Sequence, residues 1–144
     1  MLKLVNEIND FWLGDACSSP NHALKRKPFW YKGSADTDKK IGHRFTDIVQ
    51  NARTGTLDDW ASQAHSSLAL ILLLDQFTRN LFRGSPKAYS GDPRALIYLR
   101  HIIKEQLDTS LHVVARIWLY HPLHHSECLD CLLYTSDAAD EVDR

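Results

Sequence analysis

The strongest constraint on the fold of this chain is a long apolar helix pattern that runs from Ser67 to about Phe82. At about 100° per residue, its large apolar side chains share one face. They are Leu70, Leu73, Leu74, Phe77 and Leu81. In the first half, apolar residues also occupy the opposite face, which is typical of a buried helix. We therefore expect this helix, stopped by Gly84, to lie at the centre of the fold.

Helical spacing recurs along the rest of the chain, whereas the alternating pattern of strands does not appear. Before the central helix, the predicted elements are an apolar helical stripe from Leu4 to Trp12 that ends at Gly14, a helix from Thr37 to about Arg53 capped by Asp36 or Thr37, and a short piece at Leu57–Ala61. After it come a helix that begins with Asp92 as N-cap before Pro93, and a helix from Thr109 or Ser110 to Tyr120 that Pro122 stops. The pattern predicts an all-α fold of antiparallel helix pairs, in a bundle or a solenoid. No repeat of fixed period favours the solenoid.

Residues 15–35 are predicted to form a loop, because Ser18-Ser19-Pro20-Asn21 is typical of a turn. Within it, Pro28-Phe29-Trp30-Tyr31 is strongly aromatic. We expect these rings to dock on the core.

Composition excludes several classes of function. The 144 residues suit one domain, and 17 basic against 18 acidic residues give no net field that would attract nucleic acid. The longest apolar run, Leu68–Leu74, is far shorter than the roughly 20 residues of a membrane span. The start of the chain has no apolar signal region, and three cysteines make no disulfide framework. We therefore expect a soluble, cytoplasmic protein without a membrane or nucleic-acid partner.

A polar stripe opens on the central helix where its fully apolar half ends. Its members are Gln76, Arg79, Asn80 and Arg83, with Asp75 at the edge. Two arginines one turn apart are able to hold a carboxylate or phosphate. The alternative is structural, since Asp75 and Arg79 have the spacing of an ordinary ion pair. We expect Asp75 to pair with Arg79 or a backbone amide, and Arg83 to face an open surface.

A second cluster, His121-Pro122-Leu123-His124-His125-Ser126-Glu127-Cys128, is rich in histidine. A zinc site is one hypothesis, but the ligand spacing is poor and no metal or other cofactor is assigned. A better hypothesis pairs His125 with Glu127 as a general base. The alternative is a helix start, with Ser126 as the cap and Glu127 beside the helix dipole.

The segment from Asp75 to Tyr89, DQFTRNLFRGSPKAY, resembles the signature of the bacterial "domain of unknown function 924" family. The resemblance extends to DFWLG at 10–14, WYK at 30–32, GxLxxW at 55–60 and LYxPLxHSE at 119–127. It implies an all-α, tetratricopeptide-like fold and no particular activity. The signature includes the polar residues Asp75, Gln76, Arg79, Asn80, Arg83, His125 and Glu127. Thr78 stands where the family usually has proline, and His121 and His124 fall at variable positions.

The segment from Cys131 to Glu141, CLLYTSDAADE, resembles the translation of a sequencing adapter. The sequence is therefore interpreted as a helical domain at 1–130, lacking the C-terminal helices of the family, followed by a non-native tail at 131–144. The alternative is a natural acidic tail. If the tail is adapter-derived, we expect it to pack poorly.

The leading hypothesis from the sequence is a protein that binds a small anionic ligand or a protein partner through this polar helix face. One alternative is a small-molecule enzyme, such as a hydrolase, with His125 and Glu127 as base and Arg79 and Arg83 as an anion clamp. A third is a purely structural polar face. A shared site requires His125 within roughly 10 Å of Arg79 or Arg83. The sequence gives no indication of oligomeric state.

Overall fold

The computed structural model describes residues 1–125, and these residues form helices joined by short turns, with no strand among them. The predicted all-α class is confirmed. The helices are α1 (Leu2–Leu13), α2 (Pro20–Lys27), α3 (Ala35–Arg53), α4 (Ala64–Ile71), α5 (Thr78–Leu81), α6 (Asp92–Lys104) and α7 (Val113–Leu119). Two π-helical segments, Pro28–Lys32 and Leu72–Phe77, and three 3-10 turns, Asp58–Ser62, Pro86–Tyr89 and Leu107–Ser110, connect them. Residues 121–125 are again helical.

The central helix is α4, which continues through the π-helical segment Leu72–Phe77 into α5. It packs against α1, α3, α6 and α7, so the predicted contacts with the preceding helix and with the Pro93 helix are present. Every residue from Ser66 to Asp75 is buried. A helix apolar on all sides thus forms the middle of the core, as its pattern predicts.

Aromatic rings fill the core around this helix. Trp12, Phe45, Phe77 and Trp118 are almost fully buried, and three pairs of neighbouring rings in this group have centroids 5.2–6.0 Å apart, with Trp12 and Trp118 edge to face. Such contacts stabilise beyond the apolar area they bury.

The prediction of a loop at 15–35 is wrong, because α2 and the π-helical segment Pro28–Lys32 occupy most of it. The Ser19 hydroxyl accepts a hydrogen bond from the backbone N–H of His22, and Pro20 follows in the first turn. No residue of α2 is buried, so apolar periodicity could not reveal it. Arg26 and Trp30 donate hydrogen bonds to carbonyl oxygens at the end of α1, which fixes the segment on the core.

Two predicted helix caps are also wrong. Ser34, not Asp36 or Thr37, caps α3 by accepting a hydrogen bond from the Thr37 N–H at 3.0 Å. Gly91 occupies the N-cap position of α6, and Asp92 is the first residue of that helix.

The predicted helix from Thr109 or Ser110 to Tyr120 is interrupted. Residues Leu107–Ser110 form a 3-10 turn, and α7 begins only at Val113. Ile117 of α7 is half exposed. Helix α7 ends at Leu119, close to the predicted end, but Pro122 does not stop the helical region, because it lies inside the next helical turn at residues 121–125.

None of the helices within residues 1–125 is long and apolar enough to cross a lipid bilayer. The tetratricopeptide-like pairing of the helices stays a prediction. The segment from 126 onward, including the tail at 131–144, lies outside the described residues, and the interpretation of that tail as adapter-derived also stays a prediction.

Candidate functional site

The candidate site is centred on a π-helical segment in the middle of the central helix. The sequence predicts a regular helix there, but Leu72–Phe77 is wound with the wider π spacing. The Thr78 hydroxyl donates a hydrogen bond to the carbonyl oxygen of Leu74 at 2.7 Å, a contact that bends helices. π-helical turns inside α-helices are rare and frequently occur at functional sites. This one carries Asp75 and Gln76.

Asp75 is completely buried, with 0% of its surface exposed. Its carboxylate nevertheless has three donors. Gln76 Nε2 lies 2.7 Å from Oδ2, His125 Nδ1 lies 2.9 Å from Oδ1, and Arg79 Nη1 lies 3.4 Å from the same Oδ1. A buried carboxylate is tolerated only with such partners. The expected pair with Arg79 is present, but the contact with His125 is the shorter one.

His125 reaches this carboxylate from the helical turn at residues 121–125. Since an ionised carboxylate only accepts hydrogen bonds, Nδ1 is the donor, and the neutral ring then carries its lone pair on Nε2. The side chain keeps 28% of its surface exposed. This is how an aspartate orients the histidine base of many enzymes.

Arg79 lies on the same side of Asp75. Both Arg79 Nη1 and His125 Nδ1 lie within 3.4 Å of one Asp75 oxygen, so these side chains are well inside the roughly 10 Å that a shared site requires. Arg79 also donates to the Asp75 carbonyl oxygen and binds Asp92 through two hydrogen bonds of 2.9 Å each. Its guanidinium further lies over the ring of Tyr89.

A glycine allows this arrangement. At Gly91, a Cβ atom would lie only 2.2 Å from the Leu74 carbonyl oxygen. The start of α6 therefore approaches the π-helical segment closely enough for Asp92 to reach Arg79.

Asn80 and Arg83 form a second cluster around Asp38 of α3. Asn80 Nδ2 donates to Asp38 at 2.8 Å, and Arg83 binds the same carboxylate through Nε and Nη2 at 2.7 and 3.0 Å. Partial burial alone would raise the pKa of Asp38, but the hydrogen bonds from Arg83 and Asn80 outweigh it and hold that pKa below its ordinary value. The same hydrogen bond raises the pKa of the Arg83 guanidinium. Arg83 is exposed, as expected, but it faces a carboxylate of this chain.

The structure thus brings together Asp75, Gln76, Arg79 and His125, and places Asn80 and Arg83 beside Asp38. The two carboxylates that bind the arginines are not predictable from the sequence. Asp92 has the pattern of a helix cap, and Asp38 lies 45 residues before Arg83 with no motif that links them. Asp38 and Asp92 each lie in the first turn of a helix. Acidic residues are common there because the helix dipole favours them, so their position does not indicate an arginine partner.

Glu127, the predicted partner of His125, lies outside the described residues, as do Ser126, Cys128 and Cys131. Within residues 1–125, no group of three or more His, Cys, Asp or Glu side chains is arranged to hold a metal ion. His121 stacks on Trp118 with ring centroids 4.2 Å apart, and burial lowers the pKa of its ring. This places His121 in a packing role beside His125.

The family model described as bacterial protein of unknown function (DUF924) matches residues 8–142. A solved structure of a protein of unknown function from Agrobacterium tumefaciens is 32% identical, with a TM-score of 0.74 over 92% of this chain and 75% of that chain. The chain belongs to the DUF924 family. Among curated proteins, none matches it.

Proposed function

We propose that this protein is a small-molecule enzyme of the hydrolase type, in which His125 is the general base and Asp75 orients it. The observation that carries the proposal is the 2.9 Å hydrogen bond between His125 Nδ1 and a fully buried carboxylate. It leaves Nε2 as the proton acceptor on a ring that is still partly exposed.

The chemistry follows from this geometry. Nε2 accepts a proton from a water molecule, whose oxygen attacks an electrophilic carbon or phosphorus atom of the substrate. The imidazolium that forms is stabilised by the ionised Asp75 beside Nδ1, and it then returns the proton to the leaving group. Gln76 and Arg79 hold the carboxylate in place, so the base needs no reorganisation during the reaction.

Anion binding by the arginines is the second candidate function. The contacts that the arginines already make within this chain disfavour it. Arg79 and Arg83 each bind a carboxylate of this chain through two hydrogen bonds. An anionic ligand would have to replace Asp92 or Asp38 as partner. Arg83 is the better candidate, since its side chain is 58% exposed. A general base requires no such exchange, which is why we place it first.

The test compares wild type with His125→Gln on a panel of activated carboxylic esters, phosphate esters and amides. His124→Gln is the matched control, since His124 is the exposed neighbour on the same turn. We expect hydrolysis of one class by wild type and His124→Gln, and a loss of at least about a hundredfold in His125→Gln. Circular dichroism verifies that each variant is folded.

Asp75→Asn separates the general base from a structural role. If Asp75 orients the base, kcat falls in a variant that is still folded at the assay temperature, while KM changes little. Equal turnover by wild type and His125→Gln, or no turnover of any class, would contradict the proposal and leave the polar contacts as structural.

A further inference from the structure

An apolar groove lies on another part of the molecule, between α2 with the adjoining π-helical segment and α7. Its volume is about 600 Å³. Four exposed apolar side chains line its walls, and two tryptophans lie deeper: Leu24, Tyr31, Val113 and Ile117, with Trp30 and Trp118. Apolar side chains gathered at one surface mark a binding site more often than scattered ones do.

Among the described residues that line this groove, Lys27 is the only lysine or arginine, and none is an aspartate or glutamate. Residues 20–32 and 111–125 contain no aspartate or glutamate, although the whole chain has slightly more acidic than basic residues. Residues 20–32 carry Lys25, Arg26, Lys27 and Lys32, and Lys27 lines the groove itself. A ligand that suits both properties is apolar over most of its length and negatively charged at one end.

The size of the groove favours a small molecule. Pockets for small ligands have volumes of about 300–1,000 Å³, are mostly apolar, and place a few polar groups at defined points. We propose that the groove binds a medium-chain fatty carboxylate. Its alkyl chain lies between Leu24 and Ile117 above Trp118, and its carboxylate pairs with the Lys27 ammonium group. This site shares no residue with the Asp75–His125 pair.

Isothermal titration calorimetry with decanoate tests the proposal on the full chain. Lys27→Met removes the charge, and Lys25→Met is its matched control, since Lys25 is on the same helix but does not line the groove. An exposed ion pair contributes up to about 1 kcal/mol, so Lys27→Met weakens decanoate binding about fivefold. Lys25→Met leaves binding unchanged, and decyltrimethylammonium binds wild type more weakly than decanoate does.

The apolar wall is tested by Ile117→Ser, with Ile97→Ser as control. Both isoleucines are at least half exposed, so neither change empties the core, and only Ile117 lines this groove. We expect Ile117→Ser to weaken decanoate binding by at least about tenfold, because it removes apolar area from the chain-binding wall. Ile97→Ser and His125→Gln leave it unchanged, which keeps this result separate from the proposed general base.

Three results would overturn the proposal. The first is decanoate binding that is equal in wild type, Lys27→Met and Ile117→Ser. The second is a dimer that dissociates in Ile117→Ser, which would assign the groove to a second copy of the chain. The third is decanoate binding that appears only after residues 126–144 are removed, which would assign the groove to that segment.

Discussion

Replacement of Asp75 by asparagine tests the centre of the candidate site. The carboxylate has donors on both oxygens, Gln76 on Oδ2 and His125 on Oδ1. The new amide carries no charge, and its NH2 group faces either Gln76 or His125, so that neighbour has to turn an acceptor toward it by an amide flip or a change of ring tautomer. The variant therefore has no hydrogen bond to a charged acceptor, a contact that contributes about 1.5–3 kcal/mol, at a site without access to water. We expect a fall of about 2–3 kcal/mol in the free energy of unfolding.

Urea denaturation followed by circular dichroism measures this difference. It follows from the shift in the midpoint of the unfolding transition when the slope of free energy against urea concentration is unchanged. Asp92→Asn is the matched control, because the Asp92 side chain is 32% exposed and water can replace its partner. That change should cost about 1 kcal/mol or less. In a double-mutant cycle, Asp75→Asn and His125→Gln should couple by about 1 kcal/mol. If Asp75→Asn costs no more than Asp92→Asn, the buried carboxylate does not hold His125 as described.

Other predictions concern the second cluster and the helix termini. The pKa of Asp38 is depressed, so its contribution to stability is present above about pH 4 and is lost as the pH falls below that value. The melting temperature of Asp38→Asn should therefore decline less than that of wild type between about pH 4 and pH 2. Parallel profiles of melting temperature against pH would exclude the ion pair with Arg83. Ser34→Ala should cost about 1 kcal/mol in urea denaturation through loss of the helix cap, and an unchanged midpoint would reject that cap. Gly91→Ala should lower the free energy of unfolding by more than about 2 kcal/mol, because its Cβ meets a carbonyl oxygen. Gly84→Ala has open space around its Cβ but a φ of 86°, and should lower it by about 1 kcal/mol. Equal losses in the two variants would refute the close approach at Gly91.

Apolar periodicity was sufficient to predict the helices that bury a face. Helix α1, α3 and the central helix were found from their spacing alone, because a buried stripe leaves its period in the sequence. The same principle explains what was missed. Helix α2 buries no residue and is held by the Ser19 cap and by Arg26, which donates to carbonyl oxygens about 15 residues away. A contact of that kind has no local pattern.

The candidate site was predictable only in part. Asp75 and Arg79 are four residues apart on one helix, so their contact follows from helix geometry. The pairing of Asp75 with His125 joins residues 50 positions apart, and no spacing rule predicts it. The resemblance to the family signature drew attention to both residues, but it did not predict that they touch. The predicted partner was Glu127.

The protonation state of the His125 ring tests the central claim most directly. Long-range ¹H–¹⁵N correlation spectra of wild type at a pH where the ring is neutral distinguish a protonated from an unprotonated ring nitrogen, and His125→Gln assigns the signals. We expect a proton on Nδ1, held by Asp75, and a free lone pair on Nε2. In Asp75→Asn this preference should be lost. A neutral His125 with its proton on Nε2 in wild type would contradict the proposed general base.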